Sequence, residues 1–325
     1  MWIEVLVTVV AVLFGLRILY RKTSGRCHSQ RSLTGKTAIV TGGSAGLGKF
    51  TAKDLVRRGA RVILACRNLE KACKVAAWIR EAEGSVGEVV VRELDTSDLA
   101  SVRQFANEIL LTEKSLHILV NNAGIIGFKD KRMTKDDLEL TMATNHYGHF
   151  LLTNLLLGLL KQSVPSRIVN VSSGNHWFIK SLDVTSAALN FKTEPYNRIR
   201  AYGKSKVCNI LFTLELASKL SGTGVTANSL HPGVIHTDLI NPHPLILLTG
   251  ELNPLSKIIC KDEELGAQTT IHLAVSEEVE SVSGKYFVDC KEAKTSALAC
   301  NKEVASQLWS MSEKDVKLQS EEIFY

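Results

Sequence analysis

Tyr202 and Lys206, in the run Ala201-Tyr202-Gly203-Lys204-Ser205-Lys206, stand four residues apart, the spacing that puts two side chains on one face of a helix. A phenol in water gives up its proton only near pH ~10. An ammonium beside it favours the phenolate and draws the hydroxyl toward the working range of a general acid or base. The same spacing also occurs by chance on solvated helix faces, so the pair gains its meaning from what surrounds it.

The elements around the pair alternate. An apolar run, Thr37-Ala38-Ile39-Val40, leads into a glycine-rich turn and a helix-like segment from Lys49 to Arg58. Arg61-Val62-Ile63-Leu64-Ala65, Val89-Val90-Val91, Ile118-Leu119-Val120, Arg167-Ile168-Val169-Asn170-Val171 and Val225 to Leu230 read as further strands. Helical stretches separate them, including a long helix over Thr141 to Leu160. Apolar strands alternating with helices indicate an α/β fold: a Rossmann-type, doubly wound parallel sheet covered on both faces. One domain is expected over residues 35–300, followed by a C-terminal tail over 301–325 whose charged end, Glu313 to Tyr325, reads as loosely ordered.

Composition narrows the class. Seven scattered cysteines, an odd number with no Cys-x-x-Cys pair, argue against a disulfide framework and a zinc site and for a reducing compartment. His231, His236 and His243 lack a carboxylate partner, so no metal is expected. The net charge of +6 is modest, and much of it lies in Arg17, Arg21, Lys22, Arg26 and Arg31, which excludes a nucleic-acid footprint. This cluster follows an apolar stretch, Trp2 to Tyr20, interrupted only by Glu4 and Arg17. About 18–20 residues at ~1.5 Å each just span a bilayer core. The charges follow the stretch and no Ala-x-Ala site is present, so residues 1–20 read as a membrane-anchor helix rather than a cleaved signal. A basic polar linker, 21–34, would follow, with the body facing the cytosol. Insertion into one leaflet is the alternative.

Thr41-Gly42-Gly43-Ser44-Ala45-Gly46-Leu47-Gly48 lies between the first strand and the first helix. Glycines there let the backbone turn tightly and approach a pyrophosphate, which a helix N-terminus stabilises; a plain strand-to-helix turn is the bland alternative. At the end of the second strand stands Cys66-Arg67-Asn68, without the carboxylate that would bond a ribose 2′-hydroxyl and with a guanidinium suited to a 2′-phosphate. NADP(H) is therefore expected over NAD(H), unless Arg67 is only a solvated loop charge.

Thr41-Gly42-x3-Gly46-x-Gly48, Leu119-Val120-Asn121-Asn122-Ala123-Gly124, Asn145, Val171-Ser172-Ser173, Tyr202-x3-Lys206 and His231-Pro232-Gly233 resemble, in order and spacing, the classical short-chain dehydrogenase/reductases. Within them, Ala65-Cys66-Arg67-Asn68, Leu94-Asp95-Thr96-Ser97-Asp98, the stretch Asn145 to Thr153 and the N-terminal apolar segment look like the microsomal retinol dehydrogenases that use NADP(H). The chain departs from that group's Asn-Thr-Gly-Ile-Gly loop, having Ser44-Ala45-Gly46-Leu47-Gly48.

The resemblance implies roles. Tyr202 would exchange a proton with the substrate oxygen, and Lys206 would lower the tyrosine pKa and hold the nicotinamide ribose. Ser173 would bond the carbonyl or alkoxide, with Ser172 the competing choice, and Asn145 would support a water relay to Lys206. Gly42, Gly43, Ser44, Ala45, Gly46, Leu47 and Gly48 would cradle the phosphates, with Arg67 and Asn68 at the ribose and Asp95 and Thr96 at the adenine. Asn122, Ala123 and Gly124 would line the nicotinamide side, although Asn121 and Asn122 also suit structural strand ties. Pro232, Gly233, Ile235 and Thr237 belong to the segment closing over the carboxamide.

The resemblance also implies a variable substrate lid over about 239–260, on which Leu245 to Leu248 form an apolar run, either tucked on the core or forming a greasy entrance. His176-Trp177-Phe178 either wall the substrate site or pack in the core. The implied activity is NADP(H)-dependent interconversion of a lipophilic alcohol and its aldehyde on the endoplasmic reticulum membrane. Retinol and retinal lead, and reduction is the expected direction in the cell. A sterol, isoprenoid or lipid-derived aldehyde is the alternative substrate, and a non-catalytic NADP(H)-sensing scaffold the alternative class. The helices carrying Asn145 and Tyr202 are apolar enough for a homodimer or for burial within one chain.

Overall fold

A computed structural model of the chain describes residues 12, 14–15, 17–235 and 260–325. Among the described residues, eight strands form one sheet: β1 (Thr37–Thr41), β2 (Arg61–Cys66), β3 (Glu88–Glu93), β4 (Ile118–Asn121), β5 (Ser166–Val171), β6 (Val225–His231), β7 (Tyr286–Val288) and β8 (Lys291–Glu292). Their order is β3-β2-β1-β4-β5-β6-β7-β8. All neighbours run parallel except β8, which turns back on β7. The chain order reverses between β1 and β4, and open sheets bind ligands in the crevice at such a switch point.

The central strands bury both faces, so they read as continuous Val/Ile/Leu runs. Ile39, Ile63 and Leu119 face one core layer with α3 (Leu99–Thr112), α4 (Gly148–Gln162), α5 (Arg198–Lys219) and α7 (Lys302–Asp315). Ala38, Val40, Val62 and Leu64 face the other, with α1 (Gly46–Arg57), α2 (Leu69–Glu83) and α6 (Glu263–Val275).

Three departures from the sequence reading matter. The helix expected over Thr141 to Leu160 is interrupted by a π-helical turn, Ala143–Tyr147, before α4 begins. The C-terminal tail forms α7, which runs to Asp315 and so into the charged end expected to be loose, and its Trp309 ring meets Phe150 edge-on at 4.9 Å and Phe212 at 5.8 Å. Ala305, Leu308, Trp309, Ser312 and Val316 make the buried stripe that drives this docking.

The third departure is the expected linker, which from Ser24 onward is strapped to the body. Gly25 N–H donates to Asp289 Oδ1 at 2.9 Å, and a Cβ at Gly25 would lie 2.0 Å from the Asp289 carbonyl oxygen. Arg31 pairs with Glu277 and Glu280, while Arg58 donates to the Ser29 and Arg31 carbonyls.

Residues 17–23 are helical, and no helix among the described residues is long and apolar enough to cross a membrane. Residues 1–11, 13 and 16 of the expected anchor, and residues 236–259, which include all of the expected lid but Cys260, lie outside the described residues.

Candidate active site

The site is built at the β1/β4 crevice. Gly42 and Gly46 adopt the left-handed backbone, with φ of 67° and 55°. A Cβ on Gly42 would lie 2.9 Å from the Ala123 Cα, and one on Gly48 only 2.5 Å from the Gly42 carbonyl oxygen, so this loop requires glycine. Asn122 Nδ2 donates to the Thr41 carbonyl at 2.8 Å and ties the β4 loop to it. Asn121 is a strand tie, donating to Thr153 and Asn170. Ser44 bonds the Cys66 thiol, so the phosphate loop touches the end of β2.

Helix α1 starts from this loop without a side-chain cap and without an acidic residue in its first turn. Helices α2, α3, α5, α6 and α7 are each capped by Asn or Asp. Uncapped N–H groups at a glycine cradle fit the pyrophosphate of a dinucleotide. At the ribose end, Asn68 is used as the α2 cap. The Arg67 side chain is 73% exposed, with the Asp95 carboxylate 3.7 Å away. So loose a surface pair contributes little, which leaves the guanidinium free to meet a 2′-phosphate. Asp95 also accepts from Ser97, while Thr96 is buried where its carbonyl crowds Gly148.

Tyr202 and Lys206 sit on one face of α5, the Lys206 Nζ 5.5 Å from the phenol ring centre. Lys206 donates to the Val171 carbonyl at 2.9 Å. Ser173 bonds the Tyr202 phenol and also accepts from Asn175 N–H, whereas Ser172 is committed to the Lys206 carbonyl at 2.7 Å. A Cβ on Gly124 would lie 3.3 Å from Asn145 Oδ1 and 3.6 Å from Lys206 Nζ, so the β4 loop brings its glycine against both.

The electrostatics differ from the simple pairing expected of an ammonium and a phenol. Burial raises the Tyr202 pKa, and the bond to Ser173 offsets this only in part. Burial lowers Lys206 to about 8. Desolvation acts on both groups and disfavours the charged form of each.

The π-helical turn presents Asn145, whose side chain is engaged through both its oxygen and its nitrogen. Oδ1 accepts the Ile125 N–H at 2.8 Å, and Nδ2 donates to the Ile125 carbonyl and to Ser205, both at 2.9 Å. The Asn145 backbone carbonyl faces His149. Ser205 and Ile125 carry no role in the motifs, and His149 falls within the Asn145 to Thr153 stretch without a role of its own. His149 Nδ1 meets the Asn145 carbonyl at 3.1 Å, and the i, i+4 spacing of Asn145 and His149 is the signal that points to it.

The closing segment follows β6. Gly233 has φ 94°, with Lys261 packed against it, and Pro232 precedes it. Ile235 is buried and bridges to Lys261, and with Leu47 it packs over Gly266, returning this segment to the phosphate loop. Thr237, His236 and His243 lie outside the described residues. The aromatic trio divides: His176 is buried and bonded to the Ser173 carbonyl and Ser296 N–H, while Trp177 and Phe178 are 45% and 75% exposed.

Residues 36–180 match the family model of the short chain dehydrogenase. The chain is 47% identical over 292 residues to retinol dehydrogenase 14 of Homo sapiens, covering 86% of this chain and 85% of that protein. Human retinol dehydrogenase 13 is 44% identical over 301 residues, covering 92% and 89%. Among solved structures, an uncharacterized protein from Mycobacterium Paratuberculosis aligns with a TM-score of 0.71 at 31% identity, covering 91% of this chain and 98% of that one. A short chain dehydrogenase from Burkholderia cenocepacia, solved in complex with NADP, aligns with a TM-score of 0.61 at 26% identity over 79% and 97%.

Proposed function

Because the chain belongs to the short-chain dehydrogenase family and is an oxidoreductase acting on CH–OH groups, we propose that it interconverts a lipophilic alcohol and its aldehyde using NADP(H). Retinol and retinal are the leading pair, and reduction is the cellular direction. The observation that carries the chemistry is the meeting of Ser173, Tyr202 and Lys206 with Gly124 beside the uncapped N-terminus of α1. The names of the relatives support the retinoid. The exposed Arg67 and the NADP bound to the Burkholderia relative support the phosphorylated cofactor.

When bound, the nicotinamide supplies or takes the hydride. The protein's own residues handle the oxygen and its proton. Ser173 donates a hydrogen bond to the carbonyl and lowers the cost of the charge that develops there. Tyr202 then gives its proton to that oxygen. A phenol held protonated by burial suits this reductive direction. Lys206 supplies positive charge to the tyrosinate left behind, and the Asn145 carbonyl orients water that returns the proton. Arg67, Ser44 and the N–H groups opening α1 hold the phosphates, while Asn122 and Thr41 keep the β1 and β4 loops in register.

Attachment to the endoplasmic reticulum membrane through residues 1–20, with the catalytic domain toward the cytosol, accompanies this reading and suits a substrate dissolved in lipid. Full-length protein solubilised in detergent tests it when retinal, farnesal and a ketosteroid compete with each cofactor in both directions. Retinal with NADPH is expected to have the highest kcat/KM. A large preference for NADH would remove both the Arg67 argument and the reductive direction. Tyr202→Phe is expected to abolish turnover and retain NADPH binding; turnover within a few-fold of wild type would remove Tyr202 from the mechanism.

A further inference from the structure

His149 lies on α4, one turn beyond Asn145, and is buried. We propose that it is a positioning residue whose imidazole ties the Asn145 carbonyl to the Thr41 hydroxyl at the head of the phosphate loop. The inference rests on the oxidoreductase reading above and adds to it the device that holds the relay turn in register with the cofactor loops.

The hydrogen bonds fix the protons one after another. Thr41 is fully buried at the end of β1, and its Oγ1 lies 2.9 Å from both the Asn122 and the Ala123 backbone nitrogens. These two N–H donors occupy both lone pairs of the hydroxyl. Its own proton therefore points to an acceptor. His149 Nε2 lies at 2.9 Å; the Val120 carbonyl is farther, at 3.3 Å, and already shares the Asn122 N–H. Nε2 thus accepts, and the one proton of a neutral imidazole sits on Nδ1. The other end of the ring gives the same answer independently, because the Asn145 carbonyl 3.1 Å from Nδ1 can only accept.

Protonating the ring would set an Nε2–H against a hydroxyl with no lone pair to offer. Burial acts in the same sense and holds the imidazole down at about 4, with the Lys206 charge adding to it against the Asn145 bond. The neutral ring is a rigid spacer joining three segments. Thr41 precedes Gly42 of the phosphate loop, Ala123 precedes Gly124, and Asn145 lies on the π-helical turn. Ile125 and Ser205 already hold the Asn145 side chain, so His149 adds the constraint on the carbonyl.

The test uses full-length protein in detergent. Histidine 15N spectra of the ligand-free protein, assigned with His149→Gln, are expected to show Nδ1 protonated and Nε2 bare between about pH 6 and 8. A proton on Nε2 overturns the proposal. His149→Ala and Thr41→Val are each expected to lower kcat by about ten- to a hundredfold, the range for small misplacements at a reacting centre. Each is also expected to raise the solvent isotope effect on kcat and weaken NADPH binding read by fluorescence.

If one tether is broken in both, the double variant is no worse than the weaker single, and Thr41→Ser recovers most of the loss. Additive losses, or a His149→Leu variant with wild-type kcat and NADPH affinity, would mean the ring is only packing. Wild-type protein that turned over none of the substrate panel would sink the oxidoreductase reading instead. The ligand-free tautomer and the NADPH affinities of the variants still decide the tether in that case.

Discussion

Lys206 is held in the core at neutral pH with its charge disfavoured, and that has a measurable cost. An unfolded lysine titrates at 10.5 and the folded one at about 8. Above pH 10.5 both states are neutral and burial carries no charge penalty. As pH falls from 10.5 to about 8 the unfolded chain takes up a proton that the folded chain refuses, so the penalty grows, and below about 8 it is complete. Lys206→Met is therefore expected to abolish turnover yet raise stability near pH 7 by roughly 1–3 kcal/mol. The gain should shrink as pH rises from about 8 toward 10.5. The Val171 carbonyl is not orphaned in this variant, because Asn209 Nδ2 still reaches it at 3.2 Å. Denaturant midpoints measured across that pH range check it, and a variant less stable at pH 7 would show that the ammonium stabilises the fold. The residue types and spacing of Tyr202, Lys206 and Ser173 were legible because helix periodicity and the end of β5 determine where such side chains point. Their ionisation was not, because spacing carries the attraction between two groups but not the burial that acts on each.

Strands β1 to β6 were readable from their apolar runs, since a two-sided core leaves no room for alternation. Two other elements were harder to see. The π-helical turn at Ala143–Tyr147 is invisible to a period-3.6 reading, and tertiary bonds hold it: Tyr147 donates to Asp315 at 2.6 Å, and His146 meets Ser312 at 2.9 Å. Both partners lie on α7, so this helix braces the turn that carries Asn145. Helix α7 itself was hidden by its charge, although its stripe of Ala305, Leu308, Trp309 and Ser312 has helical spacing. Trp309 is its anchor, packed by Phe150, Phe212 and Tyr325 and covered by Lys219. Trp309→Ala is expected to cost about 3–5 kcal/mol through the cavity it leaves. Because α7 braces the relay turn, kcat measured well below the melting temperature should also fall while the KM for NADPH holds. Thermal melts together with kinetics at low temperature check both, and unchanged kcat would confine α7 to stability.

The described segments that flank the domain, from Arg21 to Arg31 and from Lys302 onward, are fastened to its body. The N-terminal strap reaches the start of α6: Arg21 pairs with its capping Asp262 at 2.5 Å, and the Gly25 N–H shares Asp289 with Lys261. Lys261 in turn packs against Gly233 and bonds the Val234 carbonyl through its N–H. Asp289 thus joins the strap, the closing segment after β6 and the start of α6. A composition reading sees a basic linker here because it counts charges without their partners, and those partners lie more than 200 residues away in sequence. The Lys261 side chain is 1% exposed and its ammonium pairs with Asp289, whose own side chain is 39% exposed. Removing the carboxylate alone leaves a buried ammonium with no acid partner among the described residues. After allowance for solvent at the carboxylate, Asp289→Ala is expected to cost about 2–4 kcal/mol and to weaken NADPH binding through the loosened closing segment. Adding Lys261→Met removes the stranded charge, so the double variant should regain most of the stability. It should not regain the cofactor affinity if the strap acts on the site, because Gly25 still lacks its acceptor. Urea midpoints and NADPH titrations on the two variants separate these effects. Affinity recovering in parallel with stability would mean that the strap only stabilises the fold.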